Sequence, residues 1–396
     1  MKNAAEPELA SPLTEIERLW TIINAIINER DAYATDRDRL HAEMQALRGG
    51  QADAPVLPAE GLAAAFSRAF PQCNHDQRVA LFTVIFSAFA DYIKANGVFA
   101  RAAYDIGAAA EVSVMAMHYY SPIAKRAEIE AQATQLLSAP LASDKFDLTA
   151  QTARLQALLK HGADMHGIPL ASPENGSYFW TNGMFGPQDA FTYHAMIREH
   201  RPARVLEVGS GFSTLIAARA AALNGSTQVT CIEPYPTDTH NNYLRTEAGF
   251  RLIEKPVQQV DLGLFTSLTT GDILFIDSSH VAKPGSDVEF LFFEVLPRIA
   301  PGVLVHVHDV FLPRGYTNHY YLDQNRHWNE NYLLGALLLE NPRWEVEIAN
   351  AFVSDFGRNP ALDGMVEVLA GGDAVKSAAL SAIAGGGSIW LRRMPG

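Results

Sequence analysis

The chain has 396 residues, 48% of them apolar and 19% charged, enough to bury two cores, which excludes a disordered or collagen-like protein. Its 31 lysines and arginines against 44 aspartates and glutamates leave a formal charge of −13 at pH 7 with no local basic stripe, so nucleic acid is not expected as a partner. The two cysteines, Cys73 and Cys231, lie far apart in apolar surroundings, which gives neither a disulfide framework nor a zinc cluster and points to a reducing cytoplasm.

Met1 to Glu8 carry acids and no apolar core, unlike a signal peptide. From Leu13 to Leu47 the apolar spacing predicts a long helix, opened by a capping box between Thr14 and Glu17. Leu13, Trp20 and Ile27 recur at seven, but Arg30 and Arg37 interrupt the stripe before Leu40. Homodimerisation through this helix, packing onto its own chain and free projection all stay open.

Gly49 to Pro58 reads as a linker, and helical spacing follows over Ala59–Phe70, Asp76–Asn96, Val98–Tyr120, Lys125–Ser138 and Leu148–His161. The longest nearly apolar run, Val79 to Ala90, has 12 residues, which suits a buried helix and is too short to span a bilayer. No membrane segment is expected. Residues 1–50 are thus expected to form an N-terminal helix, 51–170 a helical domain and 171–396 an α/β domain.

After Ser172 short β-branched runs alternate with helical segments, the pattern of a parallel sheet covered on both faces. Strands are predicted at Arg204–Val208, Gln228–Glu233, Arg251–Glu254, Asp272–Asp277 and Val303–Asp309. Two further runs, Trp344–Ala349 and Ser388–Arg392, flank a helix near Ala374–Ile383 and are expected to close one edge.

The first strand ends in Glu207-Val208-Gly209-Ser210-Gly211-Phe212-Ser213-Thr214 and turns straight into a helix, so bare backbone can approach a ligand at a positive helix N-terminus. A dinucleotide fingerprint would carry glycine where Thr214 stands, and Glu207 opposes a phosphate but suits an ammonium group. Glu233, 24 residues after Gly209, can accept both ribose hydroxyls. These features describe a ribose-bearing, phosphate-poor, cationic ligand such as S-adenosyl-L-methionine, and they disfavour a nicotinamide cofactor.

The fourth and fifth strands finish Asp277-Ser278-Ser279-His280 and His306-Val307-His308-Asp309, which places polar groups at the carboxyl ends of neighbouring strands. Asp277 and Asp309, with His308, can chelate a divalent cation; alternatively His280, with an ordinary pKa near 6.5, can act as general base. His306 reads as a core histidine bonded to a neighbour. Upstream, Tyr178 to Phe185 either folds over the cofactor, with Asn182 offering polar contacts, or forms a hydrophobic seam. Phe311 to Tyr316 and His327 to Glu330 lie near the same rim.

These motifs, with Asn182-Gly183-Met184-Phe185, Ile232-Glu233-Pro234-Tyr235-Pro236 and His308-Asp309-Val310-Phe311-Leu312-Pro313, resemble the class I S-adenosylmethionine-dependent methyltransferases, and more narrowly the bacterial branch grouped as methyltransferase domain 24. The likeness runs from about residue 118 to 350. It implies a Rossmann-like seven-stranded sheet of order 3-2-1-4-5-7-6 with an antiparallel last strand. It also implies contacts to the cofactor from Asn182, Glu207, Gly209, Ser210, Gly211, Ser213, Glu233, Gln258 and Asp277. Some relatives hold Mg2+ between acids at the ends of strands four and five. Asp277 and Asp309 match that pattern, whereas His308 stands where an acid is often found.

The expected activity is methyl transfer to an oxygen of a small-molecule or peptide acceptor, with His280, Asp277 and His308 at the reacting end. The acceptor stays open among sugar hydroxyls, phenols, carboxylates, a peptide C-terminus included, and nitrogen, and a scaffold keeping the nucleoside as a structural ligand is the competing reading.

Overall fold

The computed structural model describes residues 70–96, 119–132, 135 and 137–396 except 175, 237–249 and 356–358, together with 105, 108, 109, 111–113, 115 and 117. The helix expected over 13–47, its dimerisation option and the linker lie outside these residues, as do nearly all of 59–70 and most of 98–120. Two compact units divide the chain, residues 1–123 and 124–396. In the first, α1 spans His75–Asn96, one residue longer than the spacing predicts.

The second unit holds α2 (Arg126–Gln132), α3 (Ala139–Lys145), α4 (Leu148–Leu158), α5 (Pro187–His200), β1 (Arg204–Val208), α6 (Phe212–Asn224), β2 (Gln228–Ile232), β3 (Phe250–Ile253), α7 (Leu262–Thr266) and β4 (Ile273–Ile276). It continues with α8 (Asp287–Phe290), β5 (Leu304–Val307), α9 (Glu330–Leu338), β6 (Trp344–Ala349), α10 (Asn350–Asp355), α11 (Pro360–Ala370), α12 (Ala374–Ala382) and β7 (Ile389–Arg393). The expected boundary at 170 moves to 123 because the helices between pack on the sheet. Leu141 of α3 shares a core with Leu334 and Leu338, and Leu155 and Leu158 of α4 share another with Phe191 and Met365. Lys125–Ser138 forms a seven-residue helix, and Pro140 opens the next one rather than ending the first.

The sheet order is β3-β2-β1-β4-β5-β7-β6, parallel from β3 to β5, with β7 antiparallel to both its neighbours. Neighbouring residues on each strand enter different cores: Val205, Ile273 and Phe275 one face, Leu206, Leu274 and Ile276 the other. That double cover is why the strands read as continuous apolar runs. Among the described residues no helix is long and apolar enough to cross a membrane.

Register lines up Cys231, Glu207, Phe275, His306 and Trp390 across five strands. Tyr193 of α5 lies against this row, stacked on Phe275 at 4.9 Å and tilted against His306 at 5.0 Å. His306 is a core residue as expected, but it bonds no neighbour among the described residues; its ring stacks on Trp390 at 4.2 Å, and burial holds its pKa well below the usual value.

Candidate active site

β1 delivers Gly209 to the sheet's carboxyl edge at φ +95, where an added Cβ would stand 2.7 Å from the carbonyl oxygen of Asp277. The Gly209 N–H donates to the carbonyl of Ile232 and the Asp277 N–H to that of Val208, both at 2.9 Å, which stitches three strand tips together. A side chain here would meet fixed backbone in a conformation L-residues avoid. The N–H of Gly211 donates to Thr214 Oγ1 at 3.1 Å. Thr214, fully buried, therefore caps the start of α6, which accounts for its presence where a dinucleotide fold carries glycine.

Beside the turn lies a crevice of about 490 Å3 lined by Gly209, Glu233, Tyr235, Val257, Gln258 and Asp277, among others. Glu233 Oε1 accepts the N–H of Tyr235 at 2.8 Å, which fixes the carboxylate and leaves Oε2 for a diol. Gln258 Nε2 donates to the carbonyl of Gly285 at 2.8 Å. A bare-backbone floor, a held carboxylate and an amide at the far wall fit a nucleoside. Ser210, Gly211 and Ser213 form the turn and first helical turn without lining the crevice, and Ser213 is buried.

Two expected cofactor contacts sit elsewhere. Asn182 Oδ1 accepts the N–H groups of Met184 and Phe185, both at 2.8 Å, and Nδ2 donates to the carbonyl of Phe179 at 2.7 Å, so its amide closes its own turn. Glu207 is wholly buried below the crevice, accepting from Tyr193 Oη at 2.7 Å and from Cys231 Sγ at 2.9 Å. Strand parity puts it on the α5 face, and burial pushes its carboxyl above the usual range. The expected direct grip of Glu207 on a cationic amine is not what the geometry provides.

At the tips of β4 and β5 the expected polar groups do converge. His308 Nδ1 lies 3.3 Å from Asp277 Oδ1 and 3.9 Å from Asp309 Oδ2. His280 Nε2 lies 3.4 Å from Asp277 Oδ1 and 3.7 Å from Asp309 Oδ2. His280 and Asp309 both adopt positive φ, +60 and +54, which costs a non-glycine residue about 1–2 kcal/mol and is held here by the surrounding contacts.

Two buried acids stand behind the imidazoles. Glu330 Oε2 accepts from His280 Nδ1 at 2.9 Å, and Glu330 also accepts from Ser278 Oγ at 3.1 Å. Asp189 Oδ2 lies 3.6 Å from His308 Nε2. The sequence marked Glu330 only as part of a rim segment, and Asp189 reads locally as an ordinary acid in a helix's first turn; no spacing rule pairs either with its histidine.

Burial works against the His280 cation, yet its bonds to Asp277 and Glu330 raise its pKa to about 10. Burial likewise opposes charge on His308, but Asp309 and Asp277, with Asp189, lift it well above the usual value. Burial would raise Asp277, and the charge of His308 with the bonds to both imidazoles overcomes it, holding that carboxyl low. In Asp309 burial prevails and the carboxyl is pushed up. The expectation of an ordinary, neutral histidine base at position 280 is therefore corrected: in this cluster it is an imidazolium at neutral pH.

Asp277, His308 and Asp309 offer ligand atoms within 4.8 Å of one another, a grouping able to hold a metal. Magnesium suits this set poorly, because it takes oxygen ligands in near-ideal octahedral geometry and one of the three donors is an imidazole.

A family profile described as a methyltransferase domain matches residues 206–310, from the glycine turn to the tip of β5. An uncharacterized protein of Archaeoglobus fulgidus is 31% identical over 161 residues, 38% of this chain and 72% of that protein. The chain belongs to the class I S-adenosylmethionine-dependent methyltransferases. Among solved structures, the SAH-bound Podospora anserina methyltransferase PaMTH1 is 14% identical with a TM-score of 0.35, covering 72% of this chain and 99% of that one. The O-methyltransferase of Bacillus cereus in complex with SAH is 14% identical with a TM-score of 0.28, covering 49% and 82%.

Proposed function

We propose that this methyltransferase transfers the methyl group to a hydroxyl oxygen of a small or medium-sized acceptor that carries no negative charge. The observation behind this reading is a second cavity, of about 480 Å3, lined by His308 and Asp309. Its wall adjoins the cofactor crevice where His308 Nδ1 stands 3.3 Å from Asp277 Oδ1. That volume lies within the usual range for small-molecule sites. Trp180, Met184, Phe311 and Tyr320 give it apolar and aromatic walls. Among the described residues no lysine or arginine lines it, while Asp189 and Asp309 do. A carboxylate acceptor, a peptide C-terminus included, would meet repulsion there, whereas a hydroxylated ring finds aromatic faces and hydrogen-bond acceptors.

S-adenosylmethionine, when bound, supplies an electrophilic methyl group on a cationic sulfur. The acceptor oxygen forms its bond to carbon as the carbon–sulfur bond breaks toward sulfur, and the hydroxyl proton must leave. The protein's main contribution is alignment of the two reactants. Asp189, Asp277, Asp309 and Glu330 outnumber the imidazoles of His280 and His308, so the cluster carries surplus negative charge that an added proton relieves. In such a coupled set the proton belongs to the cluster rather than to one residue. Asp309 presents this cluster to the acceptor cavity, with His280 Nε2 3.7 Å behind its carboxylate and Glu330 holding the His280 ring.

The buried thiol of Cys231, bonded to Glu207, suits a reducing compartment such as the cytoplasm. S-adenosylhomocysteine release, measured against pooled hydroxylated and carboxylated acceptors, tests the assignment. Turnover confined to hydroxyl acceptors is expected; turnover confined to carboxylates overturns it. Removing residues 1–50 and following both assembly and turnover separates a catalyst from a scaffold: the catalyst keeps turning over.

A further inference from the structure

We infer that the acceptor is a hydroxylated ring carrying a protonated amine, and that the amine is held by Asp309 Oδ1 in a corner formed with the rings of Phe311 and Tyr320. The inference rests on the methyl-transfer reading for the reaction, whereas the cation site itself requires no turnover.

The Asp309 carboxylate has an unused side. Oδ2 looks to the imidazoles, 3.7 Å from His280 Nε2 and 3.9 Å from His308 Nδ1. Oδ1 accepts from Tyr320 Oη at 3.3 Å, the one hydrogen bond this carboxylate receives among the described residues. A carboxylate offers about four lone-pair sites, so Asp309 has room for donors arriving in the cavity it lines. Its side chain is only 20% exposed, and a partly desolvated anion gains more from a cationic donor than an anion in open water does.

The walls beside Oδ1 suit that cation. The Phe311 and Tyr320 rings are centred 5.2 Å apart with their planes inclined at 53°, which makes a notch between two aromatic faces. Attraction of a cation to a ring reaches to about 6 Å from its centre. A Cβ on Gly387 would stand 3.8 Å from Asp309 Oδ1 and 3.0 Å from Phe311 Cζ, so carboxylate oxygen and ring meet over the bare backbone of Gly387.

Cations close by are already engaged. The His308 ring lies between Asp277 Oδ1 at 3.3 Å and Asp189 Oδ2 at 3.6 Å. Lys376 Nζ, 5.9 Å from the centre of the Trp180 ring, donates to the carbonyl of His166 at 2.9 Å and does not line the cavity. The surplus negative charge of the cluster is thus left for the acceptor to complement. With the amine at Oδ1, the reacting hydroxyl lies toward Asp277, which lines the cofactor crevice. The hydroxyl oxygen takes the methyl carbon, the electron pair of the broken bond stays on sulfur, the hydroxyl proton joins the cluster, and the ammonium keeps its hydrogens.

The test uses the full chain loaded with S-adenosylhomocysteine and titrated calorimetrically at neutral pH with two matched pairs, tyramine against N-acetyltyramine and glucosamine against N-acetylglucosamine. In at least one pair the free amine should bind about tenfold or more tighter than its uncharged amide. Asp309→Asn should bring that preference within about threefold, and asparagine tolerates the φ of +54 at this position. Phe311→Leu, which keeps the carboxylate, should shrink it about threefold. Equal or weaker binding of the amine in both pairs, no binding of any of the four, or an unchanged preference in folded Asp309→Asn each overturn the inference. S-adenosylhomocysteine release from hydroxylated acceptors with and without amines, measured separately, keeps the two readings apart. Turnover of hydroxyls with no amine preference removes the cation site alone, and amine preference in binding with turnover confined to carboxylates removes the hydroxyl reading alone.

Discussion

The hydroxyl of Tyr193, on α5, donates to Glu207 Oε1 on β1 at 2.7 Å, while the Cys231 thiol reaches the other carboxylate oxygen at 2.9 Å. Both oxygens of Glu207 are thus engaged beneath the cofactor crevice, and the residue ties α5 to two strands. Glu207→Ala should lower stability by about 1–3 kcal/mol, because it strands a buried phenol and a buried thiol. Urea unfolding measures this; a midpoint equal to wild type would show that the bonds contribute nothing.

Gly209→Ala places a Cβ 2.7 Å from the Asp277 carbonyl at φ +95, so the tip of β1 must withdraw from β4. Affinity for S-adenosylhomocysteine should fall at least about tenfold, the loss that a misplacement worth 1.4 kcal/mol produces. Glu233→Ala should weaken the same ligand by a similar factor while leaving the ligand-free melting temperature unchanged. Undiminished calorimetric affinity in both variants would remove the nucleoside from this crevice.

Glu330 is a positioning residue: it touches His280 Nδ1 at 2.9 Å and lies away from the cavity. Glu330→Gln should lower kcat by about 10–100-fold with KM within about threefold, since the ring loses its orientation and the acceptor pocket is untouched. A change confined to KM would contradict that role.

His194 on α5 is wholly buried, with Nε2 3.4 Å from Asp164 Oδ2. Burial, with help from Arg219 and Arg198, outweighs Asp164 and lowers its pKa to about 4. Between pH 6.5 and about 4 the unfolded chain binds a proton that the folded chain refuses, so stability is present above pH 6.5 and lost as pH falls through that window. At about 1.4 kcal/mol per unit the loss approaches roughly 3 kcal/mol. His194→Gln should flatten this slope in urea midpoints taken at several pH values; an identical slope would assign the acid lability to other groups.

The chain's periodicities carried the strand positions, because a strand covered on both faces must be apolar throughout and its ends are marked locally by glycine and acids. β1 and β6 fall where their runs begin and end, and Gly209, Glu233 and Asp277 line one crevice since strand ends share an edge in this topology. Tertiary structure alone decided the rest. Glu207 turned inward because α5 brings Tyr193 over the sheet, and Asn182 spends its amide on its own turn. Burial opposes charge on both imidazoles, yet Asp277 with Glu330 raises the pKa of His280, and Asp309 with Asp277 and Asp189 raises that of His308, across elements that only folding joins. Local residue order encodes backbone preference and burial period, whereas charge state depends on desolvation and on partners that only folding brings within a few ångströms.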